Sequence, residues 1–392
     1  MNYLLIADSF LPANNSASVL IKDFLDEVGV SNNITAVIPN NSFLKKTEKI
    51  YLGNKEILMV RTFNSKSYFL VYRTFSEIVN PILMLFAIKF HGIRSYDGIV
   101  WYSPSIFFGF IIKFLKSKKN TKSYLILRDI FPQWAVDTGI LKKRFAYYIF
   151  KFFESFQYSI ADKIGIQSTA SFKYFEINYP HFLNKIEVLD NWMKKSKPIK
   201  SNINLSKTLL KNRFICIYSG NFGRSQQIDF LLDLAYFFKE NKKIGFVFVG
   251  SGSEFDRIKE SASINCPDNL LVLDSIPSEE LSSLYEQCDI GLISLDLRHK
   301  THNIPGKFIS YLLSGLPVIA VVNEGNDLIE IINKNNLGVA FSSHNMKLFE
   351  KIFLKFIHRM NKKKTASKCI SFADKNYSPK KAAKQIISFF LA

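Results

Sequence analysis

A chain of 392 residues exceeds what one hydrophobic core organises, so two domains are expected. Hydrophobic residues at 47% against charged residues at 22% exclude a disordered chain, and no uninterrupted apolar run reaches the roughly 18 to 20 residues of a membrane-spanning helix. The net charge of +19, shared by both halves, calls for an anionic partner, and the lack of zinc, RNP or KH signatures argues against nucleic acid.

Residues 2–8 read as a short strand without the basic region and cleavage site of a leader. Cys216, Cys266, Cys288 and Cys369 have neither close pairing nor metal-ligand spacing, which fits free thiols in a reducing, cytoplasmic setting. Strand patterns at 3–8, 33–39, 56–62, 98–103, 123–129, 163–168 and 186–191 alternate with helical ones. The alternation continues at 214–220, 245–250, 269–274, 290–295, 317–322 and 338–343. Such a chain is α/β, with two doubly wound, Rossmann-like domains of parallel strands covered by helices. Residues 194–207 are polar and aperiodic and read as the linker.

In the first half, segments 107–122 and 141–156 mix lysine with phenylalanine and tyrosine, the composition of helices at anionic leaflets. Core-packing helices with solvated lysines have the same composition. Between them, residues 125–141 begin as a buried strand and end it with Arg128 and Asp129, followed by Trp134. Two charges at a strand end are often just solvated. In an open α/β fold they also mark the carboxyl edge of the sheet, where ligands bind.

In the second half, three strands run into glycine-marked turns before helices: Gly220–Gly223, Gly250–Gly252, and Pro305–Gly306. Glycine lets backbone approach a ligand, and a helix N-terminus favours phosphate. A helix is expected from near Ser225, on the spacing of Ile228, Leu231, Leu232 and Ala235, with Arg224 beside its start. Lys307 falls in the first turn of another, where a cation opposes the helix dipole unless an anion compensates. Three such turns, two with a cation, describe a diphosphate site. No Asp-x-Asp occurs, so no metal is expected.

These segments resemble family-four glycosyltransferases of GT-B fold, with Ser219–Arg224, Gly250–Gly252, residues 272–295 and Lys307–Ala320 standing where the family has its motifs. Residues 128–141 are similar to the subgroup of the WbuB-type N-acetyl-L-fucosamine transferases of O-antigen and capsule biosynthesis. The resemblance implies two domains facing a cleft: an acceptor-binding domain (1–193), a linker (194–207), and a nucleotide-sugar-binding domain (208–375). A last helix (376–392) would return to the first domain. It implies a UDP-sugar donor, an undecaprenyl-diphosphate-linked saccharide acceptor, retention of configuration, no cofactor, and a peripheral place on the inner face of a bacterial inner membrane.

By the same resemblance, Arg224 and Lys307 neutralise the donor diphosphate, with Gly220, Asn221, Gly223, Gly250, Gly252, Pro305 and Gly306 around it. Ser275 and Ile276 would hold the base through backbone groups, and Ser310 and Glu330 would complete the donor site. The family's Arg-to-Lys pattern is replaced by Asn221 and Gln226, and its two glutamates by His302 and Ser310. On the acceptor side stand Asp8, Asn15, Ser16, Ala17, Arg128, Asp129 and Trp134. Asp129 is the candidate to orient or deprotonate the acceptor hydroxyl, Arg128 to steer an anionic headgroup, and Trp134 to stack on a sugar or pack. A UDP-sugar 2-epimerase of the same architecture and a non-catalytic partner subunit remain as rival readings.

Overall fold

The computed structural model describes residues 1–10, 16–41, 45–65, 70–103, 105–117, 121–195, 199–223, 226–266, 268–300, 302 and 304–392. The chain divides into two compact units: Met1–Trp192 with Pro379–Ala392, and Met193–Ser378.

The first unit runs β1 (Asn2–Ile6), α1 (Ser16–Val28), β2 (Asn33–Pro39), β3 (Glu48–Leu52), β4 (Lys55–Val60), α2 (Leu70–Phe90), β5 (Gly98–Ser103) and α3 (Gly109–Ser117). It continues through β6 (Lys122–Leu127), α4 (Gln133–Asp137), α5 (Phe145–Ile160), β7 (Lys163–Ile166), α6 (Phe172–Asn178) and β8 (Ile186–Val188). Its eight strands lie in the order β3-β4-β2-β1-β5-β6-β7-β8. All pairs are parallel except the edge strand β3, which turns back on β4 through Gly53 and Asn54. That strand carries no continuous apolar run, and its residues are largely exposed, so hydrophobic patterning does not reveal it. The interior strands β1, β5 and β6 are buried because helices cover both faces, the condition under which a parallel strand reads as unbroken apolar sequence. One face packs against α2, α3 and α5, the other against α1 and the last helix, α14 (Pro379–Leu391).

The second unit runs β9 (Phe214–Asn221), α7 (Ile228–Phe237), β10 (Ile244–Ser251), α8 (Phe255–Asn265), β11 (Leu270–Asp274), α9 (Ser278–Tyr285), β12 (Ile290–Ser294) and α10 (Gly306–Leu313). Then follow β13 (Val318–Val321), α11 (Asp327–Lys334), β14 (Gly338–Phe341), α12 (Met346–Arg359) and α13 (Lys362–Asn376). The six strands are parallel, in the order β11-β10-β9-β12-β13-β14. Residues 199–207 are not a free tether. Ile199 N–H donates to Glu279 C=O at 3.2 Å, Leu205 N–H to Gln287 Oε1 at 2.9 Å, and Leu205 is buried. In each unit the connections wind outward in opposite directions from one pair of neighbouring strands, β1/β5 in the first and β9/β12 in the second. Crevices open at the carboxyl ends of such pairs.

Candidate functional site

In the second unit, the crevice beside β9 is built from backbone. Gly220 and Gly250 are register partners at the ends of β9 and β10. A Cβ on Gly250, at φ 156°, would lie 1.8 Å from the Gly220 carbonyl oxygen, and one on Gly252, at φ 152°, would lie 2.5 Å from Asn221 Oδ1. Only glycine allows the two turns to touch. Gly223 follows in the same loop, while Arg224 lies outside the described residues. The helix expected from near Ser225 begins at Ile228 instead, because Gln227 adopts a left-handed conformation (φ 48°) that interrupts it. Its apolar positions Ile228, Leu231, Leu232 and Ala235 are all buried.

Lys307 is the second residue of α10, and its ammonium reaches back under Gly220. A Cβ there would stand 3.6 Å from Lys307 Nζ. The ammonium donates to Gln226 Oε1 at 2.8 Å and lies 4.0 Å from the centre of the Tyr218 ring. No carboxylate among the described residues forms an ion pair with it. Burial of the charged end lowers its pKa to about 7. Gln226 thus stands where the resemblance leads one to expect a second lysine, and replaces a like-charge neighbour with a hydrogen-bond acceptor. The substitution was visible in the sequence; its contact with Lys307 was not.

Beneath this cation the strand is locked to the helix. Ser219 N–H donates to the Tyr311 hydroxyl at 2.8 Å, and Ser219 Oγ lies 2.5 Å from the Tyr285 hydroxyl. Ser310 Oγ donates to the Lys307 carbonyl at 3.1 Å and lies within hydrogen-bonding reach of Tyr285, so it is a part of this lock. Pro305 caps the helix in extended conformation, with Gly306 the first helical residue. Ser275, exposed, and Ile276, packed against the core, follow the end of β11. Glu330 lies on the exposed side of α11, ion-paired with Lys334.

In the first unit, Asp8 follows β1, Tyr102 is the residue before last in β5, and Arg128–Asp129 follow β6. Burial raises the Tyr102 phenol, Asp8 and Asp129 raise it further, and Arg128 opposes them, which gathers all four at one edge of the sheet. Tyr102 is not among the residues that the sequence singles out; a tyrosine within a buried strand carries no signal by itself. Arg128 corrects an expectation. It is not positioned to steer an anionic headgroup, because it is 4% exposed and turned inward. Its Nη1 donates to Leu189 C=O at 2.9 Å and its guanidinium lies 4.7 Å from the centre of the Trp192 ring. Burial lowers its pKa to about 10. Of the other acceptor-side candidates, Asn15 lies outside the described residues, Ser16 opens α1, and Ala17 packs against the core. Trp134 lies on α4 beside Phe131, with ring centres 6.2 Å apart.

Residues 201–376 match the model of the glycosyl transferases group 1 family. The chain is 29% identical over 227 residues to the probable glycosyltransferase WbjE of Pseudomonas aeruginosa, and that match covers 55% of each chain. The chain therefore aligns with about half the length of this relative. Among solved structures it is similar to sucrose-phosphate synthase from Thermosynechococcus elongatus, with TM-score 0.77, 13% identity, and coverage of 99% of this chain and 98% of that one. It is also similar to the E. coli trehalose-6-phosphate protein bound with UDP-2-fluoro glucose, with TM-score 0.72, 12% identity, and coverage of 100% and 99%. The chain thus has the GT-B fold of two Rossmann-like units, and its second unit carries the match to glycosyl transferases group 1.

Proposed function

We propose that this protein is a retaining glycosyltransferase of bacterial O-antigen or capsule assembly. It moves an N-acetylated amino sugar, with N-acetyl-L-fucosamine first among candidates, from a UDP-sugar to an undecaprenyl-diphosphate-linked saccharide at an anionic inner-membrane surface. The observation that carries the reading is Lys307, a half-buried cation beneath a glycine turn, with no carboxylate partner among the described residues. Such a group suits a diphosphate. The structural neighbour bound with UDP-2-fluoro glucose and the relative described as a probable glycosyltransferase support it.

In this reading the donor diphosphate accepts from Lys307 and from backbone N–H groups of the glycine turns, with the N-terminus of α10 pointing at it. Arg224 adds a second cation. Charge grows on the leaving diphosphate as the glycosidic bond breaks, and fixed donors there lower the barrier without reorganisation. Asp129, with Asp8 beside it, receives or orients the acceptor hydroxyl. Glu330 and Ser310 take part in donor binding only if they leave the partners they have in this structure.

The test is calorimetric binding of UDP and a panel of UDP-sugars, followed by UDP release with a lipid-linked saccharide. Binding plus acceptor-dependent release supports transfer. Release of free sugar epimer without an acceptor would favour the 2-epimerase, and no nucleotide binding at all would sink the reading.

A further inference from the structure

We infer that the layer formed by α2, α3 and α5 is a lipid-docking face, in which α2 contributes an apolar stripe that enters the acyl boundary of an anionic bilayer. The inference deepens the membrane reading proposed above and rests on it for biological sense, though not for its geometry. The segments that sequence composition singled out were α3 and α5; α2 is new.

Helix α2 has 21 residues, about 31 Å of helix. Phe75, Ile78, Ile82, Phe86 and Phe90 are all exposed, Phe90 by 87%. Their spacing of three or four residues places them on one third of the helix circumference. Met84 and Ile88, on the opposite side, are in the core. A helix apolar on both sides normally has a partner on each. Here one side has the sheet, and among the described residues the other is largely exposed, with Phe75 alone of the stripe set against another ring, that of Phe63 at 5.4 Å.

Helix α5 reverses the usual arrangement of a surface helix. Its inward side carries Glu154, fully buried, whose Oε1 accepts from Tyr174 at 2.6 Å and whose Oε2 accepts from Tyr179 at 2.7 Å. Lys151 Nζ lies 2.6 Å from the same carboxylate. Its outward side carries Phe145, 81% exposed, with Tyr148 and Phe152 also exposed. Carboxylate inward and phenylalanine outward is a poor arrangement against water and a good one against lipid. Helix α3 touches both neighbours: Phe110, itself exposed, lies 4.7 Å from Phe156 between ring centres, and Lys89 of α2 lies 4.4 Å from the Phe114 ring.

Basic residues edge this layer. Lys142, Lys143 and Arg144 are exposed just before α5, and Lys113 lies 5.5 Å from the Phe156 ring. Lysine ammonium groups beside aromatic rings at the border of an apolar face are a combination found at headgroup level. The charge also selects the occupant. A symmetric contact between two copies of this face would bring like-charged borders together. An anionic bilayer accepts both the stripe and the border. Among the described residues no helix is long and apolar enough to cross a membrane, so the contact lies at the surface.

The experiment is sedimentation of the full chain with phosphatidylglycerol–phosphatidylethanolamine vesicles and with phosphatidylcholine vesicles, comparing wild type with Phe86→Glu/Phe90→Glu. Wild type should favour the anionic vesicles, and part of its binding should survive about 0.5 M salt, where surface charge is screened within a few ångströms. The double variant should partition at least tenfold less, with unchanged melting temperature and unchanged UDP binding, because both side chains are exposed. Equal partitioning of variant and wild type, or complete loss of wild-type binding in salt, would overturn insertion by α2. A dimer in light scattering that the variant dissolves, without vesicle binding, would assign the face to a second copy and overturn it too. Vesicle binding without any UDP binding would sink the glycosyltransferase reading and leave this inference standing.

Discussion

The state of Lys307 makes donor affinity depend on pH in a direction that can be worked out beforehand. In the free protein burial lowers its pKa to about 7, well below the ordinary lysine value. A bound diphosphate favours the charged form and raises that pKa again. Binding therefore takes up a proton wherever the free lysine is neutral. Below pH 7 affinity should be flat; above it, affinity should fall about tenfold per pH unit, or roughly a hundredfold by pH 9. Replacement by methionine removes the charge at any pH, so Lys307→Met should weaken binding by about 2.7 kcal/mol at pH 6, the same hundredfold, and the deficit should vanish near pH 9. The assay is calorimetry with a UDP-sugar, whose diphosphate does not titrate in this range, in two buffers of different ionisation enthalpy. Folding moves the opposite way. Because the folded pKa lies below the unfolded one, the destabilising cost is complete below pH 7 and fades as pH rises toward the ordinary lysine value. Lys307→Met should therefore be more stable than wild type at pH 6, by about 1 to 2 kcal/mol after discounting for its partial exposure, and the gain should shrink at pH 9. A wild-type-to-Met affinity gap that stays constant from pH 6 to pH 9 would refute the reasoning.

The first unit offers two further tests. Asp129→Asn should lower turnover on the order of 100-fold with donor affinity unchanged; an active variant in an acceptor-dependent assay would return Asp129 to a structural role. Arg128→Met should affect chemical denaturation more than the acceptor KM, with a loss of about 1 to 3 kcal/mol set by the stranded Leu189 carbonyl and the lost stacking on Trp192. A selective rise in acceptor KM at full stability would restore the headgroup reading. In the second unit, Gly250→Ala should lower both stability and UDP affinity, by about 2 kcal/mol or more in thermal melts, because its Cβ would collide with the Gly220 carbonyl at 1.8 Å.

Much of the architecture was readable because parallel strands buried on both faces leave unbroken apolar runs. Edge strand β3, with Glu48, Lys49 and exposed Tyr51, leaves none. The glycine turns were readable for a related reason: only glycine fits where two strand ends touch, so the constraint is written in the residue itself. Orientation was not. Arg128 and Asp129 look alike in sequence as charges after a strand, yet the first points into the protein and the second is partly exposed. Nothing local decides this; the carbonyls of Leu189 and Asp190, some sixty residues away, do. Helix α2 carries apolar residues on both sides, a pattern that a core helix shares, and only tertiary structure reveals which side is exposed.

The two crevices differ in charge. That of the second unit is built from backbone, with the Lys307 ammonium held between Gln226 and the buried Tyr218 ring. That of the first unit gathers Asp8 and Asp129 around a buried tyrosine, while the neighbouring arginine is turned away and engaged with Leu189 and Trp192. A diphosphate placed beside Asp8 and Asp129 would meet two carboxylates without an exposed cation from Arg128. Placed beside Lys307 it meets the charge that burial has left uncompensated. A neutral sugar hydroxyl has the reverse preference, since a carboxylate accepts its hydrogen bond and can take its proton. The proposed function follows that difference, with the phosphorylated donor at the second unit and the hydroxyl-bearing acceptor at the first. Arg128 reinforces that division by giving its guanidinium donors to Leu189 and its face to Trp192 in place of an anion at the surface.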